Sequence, residues 1–224
     1  MELTNEQVLQ IDNYVYVSGV KFFDVRSEIV DHFASKLEEK LTANPNVDIE
    51  KEIIEIHKNF GANGFRDFIE QKKKSVKKKF YVLTLRHLKT FFTLPKIIIS
   101  TAIFVALVFT MNLLVDKEMF FSILSAILLA LAFRLLYNVN MRDTNKHTFL
   151  VLSLTMHFFN VFYLMVLIFN LFTRNRNNDD FLNNTSNYTQ IGIFVVLLLF
   201  YWSGESVFYQ NKDEMKKQYP TIKI

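Results

Sequence analysis

The chain has 224 residues, of which 50% are hydrophobic, a formal net charge of +4 and no cysteine. The absence of cysteine excludes a disulfide framework, a thiol nucleophile and a cysteine-based zinc site. Because the long apolar segments all lie in the C-terminal part, the sequence predicts two unlike regions, a small soluble domain over residues 1–75 and a membrane unit after it.

Residues 1–75 carry the pattern of a helical domain. Thr4 and Gln7 form a capping box, which predicts a first helix, and Asp48 is placed to cap a third. Between them, apolar residues recur every three or four positions and predict an amphipathic second helix with one buried stripe. That stripe consists of Phe22, Val25, Ile29, Phe33, Leu37 and Leu41. The first residues show no charged segment followed by an apolar one, so no cleaved signal peptide is expected.

The second helix also carries an acidic face, formed by Asp24, Glu28 and Asp31. A charged face opposite a buried stripe is usually solvated, and this one is also a candidate docking face for a basic partner. Glu28 and His32 are one helical turn apart, but the zincin motif requires a second histidine. No metal site is therefore predicted.

A lysine-rich run and a basic amphipathic segment, residues 76–96, precede the first long apolar segment. Charge beside a membrane span favours anionic lipid headgroups over nucleic acid, for which no recognition fold is visible. The segment predicts either a helix lying in the membrane interface or a stalk that continues the preceding helix. The candidate headgroup contacts are Lys72, Lys73, Lys74, Lys77, Lys78, Lys79, Arg86 and Lys89.

Residues 97–208 contain four apolar segments of bilayer length, since a spanning helix needs about 20 mostly apolar residues. The predicted spans are 97–115, 119–139, 148–172 and 190–208. The first two are joined by a tight connection, and a polar, Asn-rich loop over residues 173–189 is predicted between the last two. The expected fold class is all-α, a small N-terminal helical domain followed by a four-helix transmembrane bundle.

Lysine and arginine residues indicate the orientation of the chain. They concentrate on the side that holds the N-terminus, in the lysine-rich run, at Arg142 and Lys146, and in the tail over residues 209–224. Both termini are therefore expected on the cytoplasmic side of the membrane.

Two groups of polar residues lie within the predicted spans. Arg134 and Glu205 are both near cytoplasmic ends, and we expect them to pair as a clamp between helices, the alternative being a role in transport or catalysis. Ser153, His157 and Asn160 share one helix face near mid-membrane. Hydrogen bonding between packed helices is the simpler interpretation of that stripe, and a proton relay or polar cavity is the alternative.

The N-terminal domain resembles the HAAS domain, a short all-helical bacterial module placed in the cytoplasm before membrane spans. The similarity lies in an acidic amphipathic helix, a second helix ending in Phe60-Gly61, and a short following helix. The matching segments are residues 22–33, 37–41, 53–61 and 65–69. The resemblance implies a bacterial inner-membrane protein with a signalling or protein-interaction domain, often linked with PadR-type regulators, and no known catalytic residue.

The sequence therefore predicts a non-enzymatic membrane regulator or adaptor whose cytoplasmic helices bind a protein partner, with no cofactor. The alternative is a small transporter or channel subunit, as a homo-oligomer, that uses the polar residues of the spans. A membrane-embedded enzyme is a weaker third possibility, because no nucleophile and base or ligand set converges in the sequence.

Overall fold

The computed structural model describes residues 2–140, 148–220 and 222, with all their side chains except those of residues 138–140, 154–156 and 178. Arg142 and Lys146 lie outside the described residues. Helices account for nearly all of the regular structure across these ranges, where Phe22 and Thr148 form an isolated parallel bridge but no strand is present. The predicted all-α class is confirmed.

The helices in chain order are α1 (Asn5–Val17), α2 (Phe23–Ala43), α3 (Ile49–Lys58), α4 (Phe65–Thr90), α5 (Lys96–Leu113), α6 (Lys117–Asn140), α7 (Leu150–Arg174), α8 (Asn178–Leu182) and α9 (Asn184–Gln218). The chain divides into two compact units. The N-terminal unit comprises residues 1–79 and 145–153, and the C-terminal unit comprises residues 80–144 and 154–224.

The N-terminal unit is a small helical domain with its own core. The capping box is present at the start of α1, where the Thr4 side chain accepts from the Gln7 N–H. Asp48 caps α3 by accepting from the N–H groups of Glu50 and Lys51. The predicted stripe of α2 faces the core, which includes Val25, Ile29, Phe33, Leu37, Ile11, Val15, Ile53, Ile56, Phe65 and Leu150. The last of these residues is the first of α7, so the start of that helix belongs to this core.

The C-terminal unit contains four helices that are long and apolar enough to cross a membrane: α5, α6, α7 and α9. The most apolar stretch of α9 is 61% buried, whereas that of α5 is 11% buried. Helix α9 therefore forms the centre of this unit, and α5 leaves most of its apolar surface open, as a lipid-facing helix does. These features are those of an integral membrane protein.

Two helices extend across the limits of the predicted segments, and for α4 this continuation was one of the two alternatives. Helix α4 is continuous from Phe65 to Thr90 and joins the predicted fourth helix to the basic segment 76–96. Helix α9 extends beyond both ends of the predicted span 190–208, to Asn184 and Gln218.

The prediction of a loop over residues 173–189 was wrong. Helix α7 extends to Arg174, α8 occupies five residues, and α9 begins at Asn184. Asn183 makes this early start possible, because its side chain accepts from the N–H groups of Thr185 and Ser186 and caps α9. Asparagine in this segment therefore acts as a helix cap as well as a loop residue.

Candidate functional site

Asp24 of the predicted acidic face caps the first turn of α7. Its Oδ1 accepts from the Leu150 N–H at 2.9 Å, and its Oδ2 accepts from the Val151 N–H at 3.3 Å. Burial raises the pKa of Asp24 above its usual range, although the backbone N–H donors act in the opposite direction. A carboxylate at this position satisfies N–H groups that a helix cannot satisfy itself and interacts favourably with the helix dipole.

Further contacts surround this cap, and we call the whole the α2–α7 junction, formed by residues 21–24 and 148–151. The Phe23 N–H donates to the Thr148 carbonyl at 2.8 Å, and the rings of Phe23 and Phe149 lie edge to face with centroids 5.7 Å apart. Leu150 is only 2% exposed. The junction therefore combines a hydrogen-bonded cap, a short backbone bridge and apolar burial.

The other two residues of the acidic face have different surroundings. The Glu28 Oε1 lies 2.6 Å from the Lys72 Nζ, so this carboxylate is paired within the chain. Asp31 is exposed. The acidic face is therefore used largely inside the N-terminal unit, where two of its three carboxylates have partners.

The predicted headgroup contacts divide in a similar way. Lys72 is paired with Glu28, and the Lys73 Nζ lies 5.6 Å from the centre of the Phe22 ring. The others are exposed, and they are Lys74, Lys77, Lys78, Lys79, Arg86 and Lys89. In the second half of α4, the apolar side chains of Val82 and Leu85 are exposed as well. Exposed cationic and apolar side chains on one helix are typical of contact with a membrane surface.

A cleft between α1 and α3 was not foreseen from the sequence. It has a volume of about 340 Å³ and is lined by Gln10, Asn13, Tyr14, Val17, Glu50, Ile53 and Ile54. Val17 is 77% exposed and Ile54 is 49% exposed, so aliphatic side chains on both sides of the cleft face water. We call this feature the α1–α3 cleft. In the sequence, the cleft was indicated only by apolar residues that lie outside the buried stripe of each helix.

Tyr14, which lines the cleft, is held by a polar contact to His57. The Tyr14 hydroxyl lies 2.7 Å from the His57 Nδ1, and the His57 ring stacks on Phe65 with centroids 4.2 Å apart. Burial lowers the pKa of His57. Two further lining residues contact each other, since the Gln10 side chain donates to the Glu50 Oε1 at 3.2 Å.

Within the C-terminal unit, the structure brings Arg134 and Glu205 together. The Arg134 Nη2 lies 2.8 Å from the Glu205 Oε1, and the Tyr201 hydroxyl donates to the same oxygen at 3.2 Å. The Glu205 side chain is 12% exposed and that of Arg134 is 57% exposed. The pair connects α6 to α9, and the arginine is its more exposed member. This is the arrangement expected of a clamp between helices.

The residues of the predicted polar stripe on α7 make different contacts. The Ser153 hydroxyl donates to the Leu150 carbonyl of its own helix at 2.8 Å. The His157 ring meets the Tyr81 ring edge to face, with centroids 5.9 Å apart. Asn160 is exposed. The Ser153 hydroxyl is therefore satisfied within its own helix, and Asn160 is open at the surface of the C-terminal unit.

The connection between α7 and α9 holds a polar network that sequence analysis missed. The Arg176 guanidinium donates to the Asn187 Oδ1 at 2.6 Å, to the Asp180 carbonyl at 2.5 Å and to the Gln190 side chain. It also lies 4.3 Å from the centre of the Phe181 ring. Burial lowers the pKa of Arg176. The network ties α7, α8 and α9 to one another, and its asparagine residues had indicated only a loop.

Comparison with known proteins identifies no relative of this chain. No family model, no curated protein and no solved structure matches the chain. The resemblance to the HAAS domain therefore stays a prediction.

Proposed function

We propose that this protein is a non-enzymatic membrane regulator or adaptor whose N-terminal helical domain binds a protein partner in the cytoplasm. The α2–α7 junction is the observation that supports it most directly. The domain caps α7 and buries its first residue, so an event on the domain reaches a membrane-spanning helix through direct contacts. A simple anchor would not require such a connection.

The α1–α3 cleft is our candidate for the partner-binding surface, in place of the acidic face. Exposed aliphatic side chains on a small charged domain mark an interaction surface. The one charged residue among those that line the cleft is Glu50. Glu6 lies on the same face of α1, one turn before Gln10. These charges favour a partner segment that inserts aliphatic side chains and carries lysine or arginine beside them.

The proposal is tested by purifying the tagged full-length chain from its source organism in mild detergent. A variant with Val17→Asp and Ile54→Asp should lose a specific partner protein that the unaltered chain retains. Leu9→Asp is the matched control, because Leu9 is exposed on α1 and does not line the cleft. Recovery of the same proteins with a chain that lacks residues 1–75 would contradict the proposal.

We further propose that both termini lie on the cytoplasmic side of a bacterial inner membrane, with the exposed lysines of α4 at anionic headgroups. The lack of cysteine allows a direct test. A Leu182→Cys variant should react with a membrane-impermeant maleimide in intact cells, and a Leu9→Cys variant should react only after permeabilisation. Both side chains are exposed, so the reverse labelling pattern would show the opposite orientation.

A further inference from the structure

One face of α7 is open along much of its length and carries an asparagine. Asn160, Leu164, Leu167 and Leu171 are all exposed and follow one another at intervals of four, three and four residues. Such spacing places them in a narrow line along the helix. The opposite face packs inside the C-terminal unit through Phe158, Phe162, Val166 and Phe169, all of them buried. We call the exposed line the Asn160 face.

The asparagine of this face lies deep in the span. Asn160 follows the first residue of α7 by ten positions in a helix of 25 residues. The first four residues of α7 belong to the N-terminal unit, and at 1.5 Å per residue Asn160 is about 10 Å along the remaining part, residues 154–174, which covers about 30 Å of hydrocarbon. Its side chain makes no hydrogen bond with any residue in the described ranges 2–140 and 148–220. A primary amide exposed to hydrocarbon without a partner is unfavourable.

We propose that the Asn160 face is the contact between two copies of this chain, in which the two Asn160 amides hydrogen-bond to each other. An amide offers both donors and an acceptor, so two of them related by a two-fold axis satisfy one another. Copies with the same orientation bring equal positions of α7 to equal depth in the membrane. The leucines alone would not drive association, because lipid chains are equally apolar, and the amide supplies the specific term.

The proposal goes beyond the proposed function and is independent of it, since it involves no other protein. The test uses the full-length chain in membranes of an expression host. Leu164→Cys, one turn from Asn160, is the only thiol in that chain and reports contact between copies through disulfide formation or a short bis-maleimide. We expect a crosslinked dimer whose yield falls about three- to tenfold when Asn160→Leu is added.

The matched control is Asn112→Leu, which replaces another exposed asparagine, next to the end of α5. It should leave the dimer yield unchanged. Leu171→Cys supplies a second reporter on the same face, in case a cysteine at position 164 alters packing. An equal yield with Asn160 and with leucine at that position would overturn the proposal, as would crosslinking only to a different protein or no dimer with either reporter.

Discussion

Asp24 shows how one side chain can serve a purpose that its neighbours in sequence do not reveal. On α2 it belongs to a charged face, yet its carboxylate accepts from two backbone N–H groups more than 100 residues away in the chain. The groups that form this cap are close in space but far apart in the sequence. The helical pattern of α2 correctly predicted where Asp24 lies on the helix but could not predict what it meets.

Replacing Asp24 should loosen the start of α7. We expect Asp24→Ala to lower the free energy of unfolding of the N-terminal unit by about 1 kcal/mol, because the capping acceptor is lost. Asp24→Asn should have a smaller effect, since the amide oxygen still accepts a hydrogen bond and the buried charge is removed. Hydrogen exchange of a peptide covering residues 148–153 measures the change. Asp31→Ala, on the exposed part of the same helix, should leave that exchange rate unaltered, and an equal effect of both alanines would contradict the role of Asp24.

His57 should make the stability of the N-terminal unit depend on pH. Burial lowers its pKa below the ordinary value of 6.5, so the unfolded chain binds this proton more tightly than the folded one. The stabilising contribution is therefore complete above about pH 6.5 and is lost as the pH falls through the lowered pKa. Urea unfolding at several pH values, followed by far-UV circular dichroism, tests this. His57→Gln should flatten that part of the profile, and an unchanged slope would show that another group is responsible.

At the scale of the helix, α9 illustrates how a small residue permits close packing. A Cβ added at Gly204 would overlap the ring of Phe158, whereas one at Gly192 would meet only the Phe104 Cε2, at 4.0 Å. Both glycines lie in α9, so the helix offers its own matched control. The sequence pattern shows an apolar helix with two glycines but not which of them is needed.

We expect Gly204→Ala to destabilise the C-terminal unit by about 1–3 kcal/mol, the usual effect of forcing extra volume into a packed site. Gly192→Ala should be neutral or slightly stabilising, because alanine favours a helix over glycine. Thermal unfolding in a mild detergent compares the two. Adding Phe158→Leu to Gly204→Ala should recover part of the lost stability. If Gly204→Ala does not destabilise the protein and Phe158→Leu restores nothing, this packing is contradicted.

The pair of Arg134 and Glu205 joins two helices, and its unequal burial predicts unequal effects. Arg134→Gln should destabilise the protein more than Glu205→Gln does, because it leaves a carboxylate that is 12% exposed without its counter-charge. Arg134, at 57% exposure, can instead reach water or headgroups when it loses its partner. Thermal unfolding of the two single variants and the double variant measures the coupling. Additive effects would mean that the side chains do not interact.

At the scale of the whole molecule, the N-terminal unit is not a continuous stretch of sequence. Of the described residues it takes in 148–153, which follow two of the apolar helices, and Leu150 is part of its core. A domain of this size has little buried surface to spare. Residues 148–153 are therefore as much a part of the N-terminal unit as α1 to α3 are.

Residues 1–79 expressed alone should consequently be less stable than the same unit in the full chain. The loss of buried Leu150 alone corresponds to about 2–5 kcal/mol by comparison with core truncations. Joining residues 148–153 to this fragment through a flexible linker should raise its melting temperature, measured by circular dichroism. The same extension with Leu150→Asp is the control. Equal melting temperatures for all three fragments would show that the first 79 residues are sufficient.

The sequence by itself determined the helical class and the four bilayer-length helices, because these depend on composition and on the period of apolar residues along one segment. It also gave the hypothesis that Arg134 and Glu205 pair, since both lie near the same end of their spans, but that contact required the second and fourth spans to be neighbours. Only the tertiary structure decided that Asp24 caps α7, that α1 and α3 leave a cleft, and that Asn160 faces outward. Each of these depends on which surfaces meet, and contacts between residues far apart in the chain leave no periodic signal within either segment.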